Sequence, residues 1–144
     1  MFQNLKAMPN ILKWLTAVSL VPLIFFFGTL IPNGSVNVNG RPMPNSVWWA
    51  CGAGAVVSVL AVIMTIAVLM LVRRSQYARP VLLVGMTLTF LSGTLLTKLT
   101  GSNVTAPLWL DIANVIPVAA IAAYLYAGKA VRKYFQPSGL VPGS

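Results

Sequence analysis

The sequence predicts an all-α integral membrane protein, a bundle of four transmembrane helices with short connecting loops and both termini on one side. Three observations predict it. Of 144 residues, 58% are apolar and only 8% are charged, where a soluble domain carries ~25% charged residues. The apolar residues gather into four runs, each near the ~20 residues that cross a bilayer as a helix. The ten Lys and Arg cluster at the ends of those runs, where they set topology.

The first span covers 12–31, LKWLTAVSLVPLIFFFGTLI, and Pro22 is expected to kink it by removing a helix hydrogen bond. Its basic start resembles a signal peptide, but the apolar run is long and LIPNG offers no small-residue cleavage site, so it is expected to be retained. The second span, 47–72, is the longest and should tilt or project from the hydrocarbon. The third covers 80–97. The fourth covers 107–128 and contains Pro117, a second expected kink, with Asn114 one turn earlier. Together they form one polytopic domain over 1–138. The last residues, 139–144, resemble a protease-cleavage linker and carry no functional reading.

Orientation follows from charge. Lys6, Lys13, Arg73, Arg74, Arg79, Lys129, Arg132 and Lys133 fall on one side of this topology, against Arg41 and Lys98 on the other. The positive-inside rule makes the richer side cytoplasmic, with both termini on it. The net charge of +9 therefore reads as topology and contact with anionic lipid headgroups, not as nucleic-acid binding, which needs the cations on one face. Short loops and the lack of a large polar segment suggest the bacterial inner membrane.

The outward stretch SVNVNGRPMPNSVWW, 35–49, alternates apolar and polar residues into Asn39-Gly40, a dipeptide suited to a type I′ turn. Pro42 and Pro44 are expected to block a regular ladder beyond it. Trp48 and Trp49 should anchor the next helix at headgroup depth. Asn39, Gly40 and Arg41 read first as a tight turn and second as a contact surface.

Few side chains offer chemistry. Cys51 is the single cysteine and histidine is absent, which excludes an internal disulfide, His-ligated haem and His-based nucleophile pairs. No cofactor or metal site is expected. Asp111 is the single acidic residue. Pro107 places it in the first turns of its helix, where the dipole favours an anion, and Lys98 is positioned to reach it. The alternative use of Asp111 is as a proton or cation site.

Gly85, Thr89, Gly93 and Thr97 recur every four residues, and small residues at that spacing let helices approach closely. Ala119, Ala123 and Ala127 repeat the pattern, as do Ala50, Gly54 and Ser58. These faces serve either packing within one bundle or a homo-oligomer interface. Arg73, Arg74 and Arg79, within RRSQYARP, suit lipid headgroups or an acidic partner. The acceptor triplets at Asn33 and Asn103 matter only on a eukaryotic secretory route.

Lys98, Ser58 and Ser92 show no spacing that argues for catalysis, so no enzyme is expected. The function that needs least chemistry is binding to another membrane protein through helix faces and loops, as an accessory subunit, assembly factor or toxin-immunity protein does. The alternative is a homo-oligomeric channel or transporter with Asp111 as its polar site.

Overall fold

A computed structural model describes residues 2–38, 40–101 and 108–136, with the side chains of Phe2, 108–112 and Asn114 outside that description. The elements in chain order are α1 (Phe2–Ala7), α2 (Asn10–Ser19), α3 (Val21–Thr29), β1 (Ser35–Val38), β2 (Arg41–Pro44), α4 (Asn45–Ala50), α5 (Ala53–Val72), α6 (Ala78–Leu99), α7 (Leu108–Ala127) and α8 (Lys129–Phe135). Helices dominate. Three stretches are long and apolar enough to cross a membrane: Asn10–Thr29, Ala53–Val72 and Ala78–Leu99. Val115–Ala127 and Lys129–Phe135 also satisfy that test as a pair bent by 58°.

The outside of the bundle is apolar. Ile24 is 69% exposed and Ile116 70%, with Phe27, Val59, Val62 and Leu91 also facing outward. Water would penalise each of these side chains, whereas hydrocarbon does not.

Three of the expected spans are interrupted, each for a local reason. The first breaks at Leu20, and Pro22 falls at the start of α3, where its missing N–H costs nothing. The second divides into α4 and α5 at Cys51-Gly52, not anticipated from its unbroken apolar run. Gly52 takes φ +84 there, a left-handed value that a side chain would resist. The fourth keeps Pro117 inside α7 but ends at Gly128, where the chain turns into α8. The third is continuous and extends beyond its expected ends, 78–99 against 80–97.

The fold is not purely α-helical. β1 and β2 form an antiparallel hairpin, with Ser35 opposite Pro44, Val36 opposite Met43, Asn37 opposite Pro42 and Val38 opposite Arg41. The ladder therefore continues past both prolines, contrary to expectation. Val38 and Arg41 close a two-residue turn and form a hydrogen-bonded pair, so Pro42 and Pro44 fall at alternate positions whose nitrogens point away from β1. The prolines cost the ladder nothing and leave the outer edge of β2 short of donors, which protects it from further pairing. Gly40, at φ +80, supplies the backbone that the turn requires. Asn39 lies outside the described residues.

Two apolar clusters hold the bundle. At the hairpin end Val36, Trp48, Ala53 and Val57 are buried together, with Phe26, Val38, Trp49 and Leu96 against them. The hairpin thus caps α3, α5 and α6. At the other end Met8, Leu12, Leu71, Leu82, Leu125 and Val131 meet, drawing in α1, α2, α5, α6, α7 and α8.

Close approach is tightest at Gly54. A Cβ there would fall 2.4 Å from the Trp49 indole, and that ring is pinned by donating from Nε1 to the Thr29 carbonyl at 3.2 Å. A Cβ at Gly85 would meet Met64 Sδ at 2.5 Å, the mobile part of a flexible side chain. Gly54→Ala should therefore lower stability by about 1–3 kcal/mol and Gly85→Ala by clearly less. Thermal unfolding in detergent would read both, and equal losses would mean that the indole is not fixed.

Candidate functional site

The densest set of polar interactions lies at the basic end, where α5 finishes. The last carbonyls of a helix have no partner within it; here the residues just after α5 supply two and distant segments two more. The Arg74 and Ser75 backbone N–H groups donate to Leu71 and Met70 at 3.0 and 2.9 Å. This is the paired closure of a Schellman cap, with Arg74 at φ 56 in the position usually held by glycine. Tyr134 on α8 donates its hydroxyl to the Leu71 carbonyl at 3.1 Å. Asn4 on α1 donates Nδ2 to the Val72 carbonyl at 3.0 Å.

Two of the three expected loop arginines belong to this set. The Arg74 guanidinium stacks 4.8 Å from the Tyr134 ring centroid, and Arg79 stacks 4.6 Å from that of Phe135. The two rings are edge-on neighbours at 5.2 Å. Arg79 also donates from one terminal nitrogen to the Val131 carbonyl at 3.4 Å. The Nε atoms of both arginines are buried with no acceptor. Arg73 is exposed. Burial pushes the Tyr134 phenol above its ordinary pKa, opposed by the hydrogen bond and the charge of Arg74. The phenol therefore remains a neutral donor at physiological pH.

The sequence separated these partners by more than fifty positions. The aromatic pair Tyr134-Phe135 beside Arg132 and Lys133 was the one available signal.

The remaining candidates are dispersed. Gly85 is buried against Ile63 and Met64, whereas Gly93 meets nothing within 4 Å of an added Cβ. Thr89 and Thr97 donate to the Gly85 and Thr94 carbonyls of their own helix. The expected small-residue face thus makes a close contact at Gly85 and opens toward two cavities further along. One, of about 230 Å³, lies under the hairpin and includes Phe25, Trp48, Gly93 and Thr97 in its lining. The other, of about 300 Å³, lies between α3, α5 and α6 and reaches Thr89.

Lys98 is exposed at the end of α6, and Gly40 and Arg41 are exposed at the hairpin tip. Asp111 falls on α7, but its side chain, and so its expected pairing with Lys98, lies outside the described residues. Among the described residues no group of three His, Cys, Asp or Glu is placed to hold a metal. A third hollow, of about 530 Å³, runs along the outside of the bundle between α5 and α6, lined by Ala55, Val56, Val59, Leu88, Leu91 and Ser92 among others.

Exchanging Arg74 separates its two contributions. Arg74→Gln keeps the left-handed penalty and loses the cation–ring contact, whereas Arg74→Gly loses the contact but relieves the backbone. The glycine variant should be the more stable of the two by about 1 kcal/mol, read by chemical or thermal unfolding. The reverse order would mean that the left-handed conformation carries no strain. A scan against family models and searches of curated proteins and of solved structures each found no match to this chain.

Proposed function

We propose that the chain crosses the bilayer four times with its basic end and both termini in the cytoplasm, and that it acts without catalysis by binding another membrane protein. The fourth crossing is α7, with α8 lying along the cytoplasmic face. The positive-inside bias supports this orientation, and short loops fit a protein of the bacterial inner membrane.

The observation that carries the binding reading is the hollow between α5 and α6. It is almost wholly apolar, lies on the outside of two long helices and is bordered by Ala55 and Ser92. Small residues beside large ones give a partner helix room to approach within packing distance. In hydrocarbon that packing, not water exclusion, drives helix association. Val59, Leu88, Leu91 and Leu95 supply its ridges. An accessory subunit, an assembly factor or an immunity protein that blocks a toxin in the membrane works in this way.

A second copy of the chain is the alternative occupant, which gives a homo-oligomeric channel or transporter with Asp111 as its polar site. Purification from native membranes in mild detergent distinguishes the two. A stoichiometric second protein supports the accessory reading, and a defined homo-oligomer of this chain alone overturns it. Ala55→Trp should fill the hollow and reduce retention of the partner about tenfold or more, with the unfolding temperature unchanged. Undiminished retention would place the interface elsewhere. A reporter fused after Arg79 should read as cytoplasmic and one inserted near Gly40 as external, and one location for both would overturn the four-span topology.

A further inference from the structure

We propose that Arg74 and Arg79 form a built site for a phosphate group, that of an anionic phospholipid headgroup or of free phosphate, at the basic end of the bundle. The inference goes beyond partner binding and does not depend on it.

Three observations carry it. First, each guanidinium lies against an aromatic ring of α8, at 4.8 and 4.6 Å, on two rings 5.2 Å apart. Stacking occupies the face of a guanidinium and leaves its in-plane N–H groups to bond oxygens, and a planar fork of donors can take phosphate oxygens in pairs. Second, those donors are only partly used, by the Tyr134 phenol for Arg74 and by one carbonyl for Arg79. Arg79 makes one 3.4 Å bond to a carbonyl, and both Nε–H groups are buried without an acceptor. Buried donors and partly desolvated cations call for a counter-charge. Third, no acidic side chain is near enough to offer one. The chain's one acidic residue, Asp111, is near the start of α7, whereas α8 follows the end of α7. A 20-residue helix is about 30 Å long, so Asp111 is near the far end of the bundle.

The same end carries Lys129, Arg132 and Lys133, so the surrounding field draws an anion in. The cap hydrogen bonds at the end of α5 fix the Arg74 backbone, in a left-handed conformation. The loop carries three arginines, Arg73, Arg74 and Arg79, and of these Arg74 and Arg79 are stacked against rings. That distinguishes a site from a diffuse positive surface, which attracts headgroups without fixing them.

The test uses the full chain in a zwitterionic detergent, with thermal unfolding followed by tryptophan fluorescence. The probes are short-chain phosphatidylglycerol, short-chain phosphatidylcholine and inorganic phosphate. Phosphatidylglycerol should raise the unfolding temperature saturably and phosphatidylcholine should not. Arg74→Gln and Arg79→Gln should each weaken the response about tenfold, and Arg73→Gln, which removes the same charge from the same loop, should leave it intact. Arg79→Lys keeps the charge without the planar fork and should also weaken it, which covers the case in which a glutamine variant fails to fold.

A response to inorganic phosphate that is lost in the same variants would support the site with free phosphate as its source. A response to phosphatidylglycerol alone would support it with lipid as the source. Equal weakening by Arg73→Gln, or equal stabilisation by phosphatidylcholine, would overturn the proposal in favour of non-specific attraction.

Discussion

The carbonyls at the end of α5 impose the constraint around which the rest of the molecule is arranged. A long apolar helix delivers its last C=O groups to the edge of a cluster of Leu, Met and Val, where water is scarce and an unpaired carbonyl is expensive. Closure by the Arg74 and Ser75 amides satisfies part of that demand. The remainder is met from the two ends of the chain, Asn4 at the Val72 carbonyl and Tyr134 at the Leu71 carbonyl. Meeting it fixes α1 and α8 against α5, and with them the entry to α2 and the exit from α7. The cluster containing Met8, Leu12, Leu125 and Val131 forms because those helices have been brought together.

The hairpin end obeys a different rule. There the chain must leave α3 and re-enter as α5 with little length to spare, and its apolar residues must still be covered. The hairpin meets both needs. Val36 and Val38 turn inward on the two-residue period of a strand, while Ser35 and Asn37 remain exposed. Asn45 secures the base, donating its backbone N–H to the Gly34 carbonyl and Nδ2 to the Ile31 carbonyl, both at 3.0 Å. The break at Gly52 separates α4 from α5, and α4 brings Trp48 and Trp49 against the bundle. Trp49 packs onto Gly54, and Trp48 meets Phe25 edge-on at 5.9 Å.

Between these two ends the helices meet less completely, and the hollows beside α6 result. A bundle closed by a polar knot at one end and an aromatic cap at the other can leave its middle open to helices or lipid without losing its fold. Most of its hydroxyls contribute nothing to inter-helix contact, because Ser58, Thr65, Thr87 and Thr89 bond back to their own helices. Contact in that middle region is left to shape, the property on which a partner helix would depend.

Hydropathy and charge alone located the apolar runs and the concentration of cations at the ends of those runs, and Pro22 marked a real break. These are local properties: each residue's preference for hydrocarbon or water adds to that of its neighbours, and a proline removes its donor wherever it stands. Three features depended on tertiary structure. The ladder through Pro42 and Pro44 required knowing which side of the strand each nitrogen faces. The break at Gly52 required knowing that Trp49 must lie against Gly54. The stacking of Arg74 and Arg79 on Tyr134 and Phe135 required bringing together residues more than fifty positions apart. A periodic pattern states which residues seek burial, but the partner each one meets is decided by distance and direction in three dimensions, and those are set when the two ends of the chain close on α5.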